Sequence, residues 1–138
     1  MAHSYGFDFS TWEIWGALLN GASLYIPDRK EVQDTFRFHK LLIEKQVNVL
    51  NQTPKSFYNL MLVDEDLKQL SHLDYVIFGG DKLQGNRLSS WMETYPKMSL
   101  INMYGITETT VHVTFQKVQP ELQSNIGKAL PGYDVCLM

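Results

Sequence analysis

Tyr75-Val76-Ile77-Phe78-Gly79-Gly80 is the stretch of sequence that decides the fold. Four apolar or aromatic residues without polar alternation predict a short strand buried on both faces of a sheet. The two glycines predict the end of that strand. They also allow a ligand or another segment of backbone to come close, because glycine has no β-carbon.

Strand and helix patterns alternate on both sides of this stretch. Apolar runs predict three further strands, at Ala22–Ile26, Val47–Leu50 and Ser99–Met103. Helical spacing of apolar residues predicts intervening helices at Phe36–Glu44, from Pro54 onward, and around Leu88–Met92. This alternation predicts an α/β fold, a flavodoxin-like parallel sheet with helices on both faces. Short C-terminal strands are predicted at Val111–Phe115 and Asp134–Leu137, with 116–126 as the probable loop between them.

One further helix is predicted close to the N-terminus. Ser10-Thr11-Trp12-Glu13 has the Ser-x-x-Glu form of a capping box, with Ser10 as the N-cap and Glu13 reaching back. The helix is expected to stop near Asn20-Gly21, because glycine favours the end of a helix.

Composition excludes several classes of protein. The chain has 138 residues and a net charge of -3 without a basic run, which argues against a nucleic-acid partner. Cys136 is the only cysteine, so no disulfide can form within the chain, and a reducing cytoplasm is the expected compartment. No Cys/His cluster indicates zinc. His39 and His72 have no acid partner at ligand spacing and are expected at the surface.

Polar residues follow three of the predicted strands. They are Asn51-Gln52-Thr53, Gly79-Gly80-Asp81 and the longer stretch Tyr104–Thr110. Because ligands of open parallel sheets bind beyond the carboxyl ends of the strands, we expect these loops to open onto one shared ligand edge.

The stretch Asn102–Thr110 is the most specific signal in the chain. Its hydroxyls and backbone N–H groups suit phosphate oxygens, and Glu108 could hold Mg²⁺ beside them. A hydroxyl-rich surface turn remains the alternative. A second signal is Phe7–Glu13, in which Asp8 precedes a helix start. Asp8 could instead serve only that helix, and Trp12 could be an ordinary core residue.

Together these two motifs resemble core motifs of the adenylation domains of nonribosomal peptide synthetases. Ile126–Gly132 is similar to the start of the next core motif. Asn51–Pro54 and Ile77–Asp81 are similar to the pocket segments between the motifs. The resemblance covers nearly the whole chain. Ile106 stands where the family often has proline, which makes the turn less rigid without changing a ligand group.

The resemblance implies an activity and a role for several residues. Such domains form an aminoacyl-adenylate from an amino acid and Mg·ATP, and then pass the acyl group to a carrier-protein thiol. Asp8 would hold the substrate ammonium group, and Thr107 and Glu108 would be catalytic residues that contact phosphate and Mg²⁺. The ATP-binding residues would be Gly80, Asn102, Tyr104 and Thr107.

The resemblance also implies which residues line the amino-acid pocket. They are Asp8, Phe9, Trp12, Asn51, Ile77, Gly79, Met103, Val111 and His112. This combination resembles that of threonine-activating domains. Bulky walls leave room for a small side chain, and Asn51 and His112 would be left unpaired without a substrate hydroxyl. The alternative is that His112 alternates with apolar neighbours on a strand and faces solvent.

The resemblance implies that the chain is one α/β subdomain, an internal fragment of an adenylation domain. The family's phosphate loop, ribose-binding aspartate and C-terminal lysine have no counterpart in it, so we expect the isolated fragment not to form adenylate. A stand-alone flavodoxin-like module that binds a nucleotide or a protein is the alternative. A ligase for acids without an amine is disfavoured, because it would leave the Asp8 carboxylate unpaired.

Overall fold

One five-stranded sheet organises the computed structural model, which describes residues 1–119 and 124–136. Its first three strands, β1 (Val49–Gln52), β2 (Tyr75–Phe78) and β3 (Ser99–Tyr104), are parallel. β4 (Thr114–Lys117) lies next to β3 and is antiparallel to it, and β5 (Lys128–Ala129) lies next to β4 and is antiparallel to β4. The predicted α/β fold with short C-terminal strands is confirmed.

Helices connect and cover the strands. They are α1 (Phe9–Leu18), α2 (Arg29–Gln33), α3 (Thr35–Glu44), α4 (Pro54–Asp64) and α5 (Ser89–Thr94), with short 3-10 turns at Gly85–Leu88 and Thr107–Thr109. The side chain of Asp34 accepts hydrogen bonds from the first turn of α3, and Pro54 occupies the first position of α4. None of these helices within the described ranges is both long enough and apolar enough to cross a membrane.

Each face of the sheet has its own apolar cluster. On one face, residues of α3, α4 and α5 surround Val76, Phe78 and Leu100. On the other face, Phe9 of α1 packs against Ile77 and Met103. This division follows from the strand geometry, because consecutive residues of a strand point to opposite faces. Helices therefore cover both faces, as the sequence predicts.

Three predicted strands differ from those observed. Ala22–Ile26 is not a strand: no strand of the sheet pairs with it, and a cavity of about 560 Å³ is lined both by residues of this segment and by β1. β4 begins only at Thr114, so Gln116 and Lys117 belong to a strand and not to the predicted loop. Asp134–Cys136 is exposed and not a strand. The rest of that prediction, Leu137, lies outside the described residues, as does 120–123 of the loop.

The predicted capping box is also wrong. α1 starts at Phe9, two residues before the expected start, with Asp8 at the N-cap position. Ser10 therefore lies inside the helix, where its hydroxyl donates to the carbonyl of Tyr5 at 3.2 Å. Glu13 reaches away from the helix start and accepts a hydrogen bond from the backbone N–H of Ala2 at 2.8 Å.

The expectation that His39 lies at the surface is wrong. Its Nε2 lies 2.7 Å from Oδ1 of Asp64, and both side chains are buried. The Tyr95 hydroxyl donates to the other carboxylate oxygen, and the backbone N–H of Gln69 donates to Oδ1 at 3.0 Å. Burial and the bond to Asp64 raise the pKa of Tyr95. His72 is partly buried, with Nε2 2.9 Å from the carbonyl oxygen of Leu42.

We predict that Asp64→Ala lowers the free energy of unfolding by about 3 kcal/mol, because it leaves His39 and Tyr95 buried without their shared acceptor. Urea unfolding followed by tryptophan fluorescence measures the loss. Glu44→Ala is the control: it breaks an exposed pair with Lys40 on α3, where we expect less than about 0.5 kcal/mol. If the two variants lose the same free energy of unfolding, the hydrogen bonds of Asp64 with His39 and Tyr95 do not contribute as much stability as proposed.

Candidate functional site

The carboxyl ends of the three parallel strands lie side by side. Asn51 pairs with Ile77, and Ile77 pairs with Ile101, so that β1, β2 and β3 reach the same edge of the sheet. α1 begins over this edge and places Phe9 against Ile77 and Met103. The structure thus brings together the loops that sequence reasoning assigned to one ligand edge.

Gly79 forms the closest packing at this edge. A β-carbon at this position would lie 3.1 Å from Nε2 of His112 and 3.2 Å from Cε1 of Phe9. The rings of Phe9 and His112 meet edge to face, with centroids 5.0 Å apart. A side chain at residue 79 would therefore require both rings to shift by a few tenths of an ångström, and glycine lets them pack without that shift.

A second close approach places His112. A β-carbon on Gly105 would lie 1.6 Å from the carbonyl oxygen of Val111, so only glycine lets the two backbone segments meet. The N–H of Val113 donates to the carbonyl of Tyr104 at 2.8 Å and fixes the same contact. The chain therefore folds back directly after β3, and His112 comes to lie over Gly79.

His112 is a buried and neutral histidine. Its side chain is 7% exposed, and Nδ1 has no hydrogen-bond partner among the described residues. Burial lowers the pKa of His112 to about 4, and the nearby charge of Asp8 opposes only part of this effect. The alternative in which His112 faces solvent is thereby excluded. A neutral imidazole with a free ring nitrogen can donate or accept one further hydrogen bond.

Asp8 joins the two sequence motifs. Its Oδ2 accepts a hydrogen bond of 2.6 Å from the hydroxyl of Thr107, although 99 residues separate the two in sequence. The side chain makes no cap hydrogen bond to α1, so its carboxylate is directed to the site rather than to the helix. Asp8 is half-buried, where a carboxylate attracts a cationic partner more strongly than it does in bulk water.

The remaining pocket residues form a wall. The indole N–H of Trp12 donates to Oδ1 of Asn51 at 3.1 Å and so ties α1 to β1. Trp12 also meets the ring of His112, with centroids 5.6 Å apart. The cavity of about 560 Å³ beside β1 is bounded at one end by Trp12, Asn51 and Ile77. Asp8, Gly79 and His112 are not part of its lining, so the cavity and the candidate site share Trp12, Asn51 and Ile77 but do not coincide.

Not all of the predicted nucleotide-binding residues lie together at the ligand edge. Tyr104 is 45% exposed at the end of β3 and presents an accessible ring. Gly80 has φ +80°, and a β-carbon there would lie 3.2 Å from Cζ of Phe7. Asn102 is buried, and its Nδ2 donates to the carbonyl of Asn125 at 2.8 Å. Its side chain lies on the opposite sheet face from Met103, so the structure does not bring it into the cluster.

The turn after β3 exposes hydroxyl and carboxylate groups. Thr109 holds this turn, because its hydroxyl donates to the carbonyl of Ile106 at 2.8 Å. Glu108 is exposed. In residues 1–119 and 124–136, no group of three or more His, Cys, Asp or Glu side chains could form a metal cage. A single accessible carboxylate is enough for Mg²⁺ that is bound to a nucleotide, because phosphate and water oxygens supply the other ligands of the ion.

Three residues around the pocket, Phe7, His3 and Glu13, were not predicted as site residues, although the position of His3 allowed it to border the pocket. Phe7 covers Gly80, and His3 stacks on Phe9 with ring centroids 4.6 Å apart. Glu13 is 4% exposed and holds the segment that carries His3. The run of aromatic residues before α1 was a signal for Phe7, but nothing in the local sequence indicated the partner of Glu13.

Comparisons with known proteins agree with this geometry. Residues 1–138 match the family described as AMP-binding enzyme. A plipastatin synthase from Bacillus subtilis (strain 168) is 52% identical over 132 residues, which is 93% of this chain and 5% of that protein. The chain therefore spans only a small part of this relative.

Solved structures with the same fold include adenylation domains. The Vibrio cholerae adenylation domain AlmE, in complex with glycyl-adenosine-5'-phosphate, matches with a TM-score of 0.79 and 25% identity over 93% of this chain and 24% of that one. PA1221, described as an NRPS protein with adenylation and PCP domains, matches with a TM-score of 0.79 and 30% identity, over 94% of this chain and 26% of that one. This chain belongs to the AMP-binding enzyme family, as a segment of an adenylation domain of the nonribosomal peptide synthetase type.

Proposed function

We propose that this chain carries the amino-acid pocket and part of the ATP-binding region of a ligase that activates L-threonine as aminoacyl-AMP for nonribosomal peptide synthesis. The observation that carries the proposal is the half-buried Asp8 carboxylate beside a neutral His112 whose Nδ1 has no hydrogen-bond partner in residues 1–119 and 124–136. The remaining adenylation subdomains and a carrier protein are its proposed partners. The chain is proposed to be an internal fragment that is inactive alone.

Asp8 is the proposed anchor for the substrate ammonium group. A carboxylate away from bulk water binds a cation well, and it disfavours substrates that would leave it without a cationic partner. Its neighbour Thr107 supplies one donor to it, and Oδ1 has no hydrogen-bond donor among the described side chains and backbone groups. An α-ammonium group bound there directs the substrate carboxylate toward the nucleotide side of the edge.

His112 and Asn51 are the proposed partners of the threonine hydroxyl. A free Nδ1 inside an apolar cluster is costly unless the substrate brings a hydrogen-bonding group. Phe9, Ile77 and Met103 are buried bulky neighbours that restrict the substrate to a small side chain. A hydroxyl on a small side chain, as in threonine, meets both requirements.

Thr107, Glu108 and Tyr104 are the proposed nucleotide contacts, with Gly80 near the base and Asn102 as a further predicted contact. When bound, Mg²⁺ neutralises phosphate charge and orients the phosphates for attack by the amino-acid carboxylate. Glu108 would hold it with one carboxylate, and the hydroxyl of Thr107 would donate to a phosphate oxygen. Tyr104 offers its exposed ring to the adenine.

The complete adenylation domain that contains this chain is expected to catalyse threonine-dependent exchange of pyrophosphate into ATP. Asp8→Asn should lower kcat/KM for threonine by at least about 100-fold, because it removes the partner of a desolvated ammonium group. Asp66→Asn, at an exposed acid beyond α4, is the charge-matched control and should retain activity. A domain that binds nucleotide but shows no exchange with any amino acid would favour the non-catalytic nucleotide-binding alternative.

Discrimination between threonine and valine tests the proposed hydroxyl contact. His112→Leu is expected to lower the threonine-to-valine ratio of kcat/KM by at least about tenfold, because the wild-type pocket penalises a substrate that leaves the imidazole unpaired. Both ratios come from the same exchange assay, so a general loss of activity cancels. An unchanged ratio would remove His112 from the recognition of the hydroxyl.

The pKa of His112 predicts how stability depends on pH. Its value of about 4 lies below the ordinary value of 6.5, so the unfolded chain takes up the proton first as pH falls. Stability should therefore decline between pH 6.5 and 4, by on the order of 3 kcal/mol from this group. His112→Gln should lack that part of the decline in urea unfolding measured across the range. If the free energy of unfolding falls equally with pH in the wild type and in His112→Gln, the decline does not come from His112.

A further inference from the structure

Glu13 has a buried carboxylate that the proposed chemistry does not use. It lies on α1 one turn beyond Phe9 and is 4% exposed. Oε1 accepts from the backbone N–H of Ala2 at 2.8 Å, and Oε2 accepts from that of His3 at 3.3 Å. A buried carboxylate persists only where such donors satisfy it, so Glu13 and the segment Ala2-His3 fix each other's position.

This clamp sets the position of the His3 ring. Nδ1 of His3 lies 3.2 Å from Oε2 of Glu13, though without the geometry of a hydrogen bond. The ring stacks on Phe9 with centroids 4.6 Å apart and planes 22° apart, and it meets the edge of Phe7 at 5.6 Å. His3 therefore covers one face of the Phe9 ring.

As a result, the Phe9 ring is packed at one face and at one edge. One face packs under His3, and its edge reaches Gly79 and the ring of His112. In a well-packed cluster an aromatic ring stays in place only if neighbours fill the alternative positions that it could adopt. Because His3 stands against one face of Phe9, removal of the His3 ring would free space into which the Phe9 ring could move.

We propose that Glu13 and His3 are positioning residues: through Phe9 they set the largest substrate side chain that the pocket admits. The inference rests on the proposed function, because it assigns Phe9 to the amino-acid pocket. Glu13 acts by holding residues 2 and 3, and His3 acts by stacking. Neither residue is required to touch the substrate.

The test uses the complete adenylation domain that contains this chain. The measured quantity is the ratio of kcat/KM for threonine to kcat/KM for leucine, a larger apolar side chain, in pyrophosphate exchange. His3→Ala should lower this ratio at least about tenfold, because the vacated space lets Phe9 move away from Gly79. The KM for ATP should change by less than about twofold, because the gap opens on the amino-acid side of the edge.

His3→Phe is the matched variant, because it keeps a flat ring against Phe9. It should retain the wild-type ratio within about threefold, whereas Glu13→Ala should lower the ratio and Glu13→Gln should restore part of it through its remaining carbonyl acceptor. If His3→Ala does not fold, His3→Asn leaves a similar gap with a polar side chain, and the same fall in the ratio is expected.

The outcomes separate this inference from the proposed function. A wild-type domain that exchanges with threonine, but whose ratio is unchanged in His3→Ala, would overturn the inference while leaving the function intact. A lower melting temperature with an unchanged ratio would have the same meaning, since a purely structural role moves stability alone. Absence of exchange with any amino acid in the wild type would overturn the proposed function, and the inference with it.

Discussion

The contact of Phe9 and His112 over Gly79 is the constraint on which the site depends. Their ring atoms lie 3.2 and 3.1 Å from where a β-carbon would be, so α1 and the turn after β3 both rest on the bare backbone at the end of β2. The Trp12–Asn51 hydrogen bond then fixes the lateral position of α1 against β1. A side chain at residue 79 would therefore press on rings that belong to α1 and to the turn after β3 at the same time.

Much of this arrangement could be predicted because it follows from local patterns. Buried parallel strands are short apolar runs, and glycine marks the places where another group packs directly on the backbone: two rings at Gly79 and a second backbone segment at Gly105. The carboxyl ends of parallel strands share one edge, so residues near Asn51, Gly79 and Tyr104 had to lie close together. The meeting of Asp8 with that edge required the family resemblance, since periodicity does not say which sheet face a helix covers.

Other features depend on partners that are far apart in sequence. Asp64 lies 25 residues from His39 and 31 from Tyr95, and no spacing rule connects such positions. Glu13 has the spacing of a capping box, but a helix start two residues earlier redirects it to Ala2 and His3. Ala22–Ile26 has the composition of a strand, yet a strand exists only where a neighbour supplies ladder hydrogen bonds, and no strand of the sheet pairs with this segment.

The hydrogen bond between Thr107 and Asp8 shows how the two halves of the proposed site depend on each other. A hydroxyl has one proton, so Thr107 cannot donate to Asp8 and to a phosphate oxygen at the same time. If the Thr107 hydroxyl donates its hydrogen bond to a nucleotide phosphate, Asp8 loses that donor, and a substrate ammonium group can replace it. If an amino acid binds first, its ammonium group satisfies Asp8 and releases the hydroxyl. Under the proposed roles, each substrate would lower the cost of binding the other, and by linkage the effect would be equal in both directions.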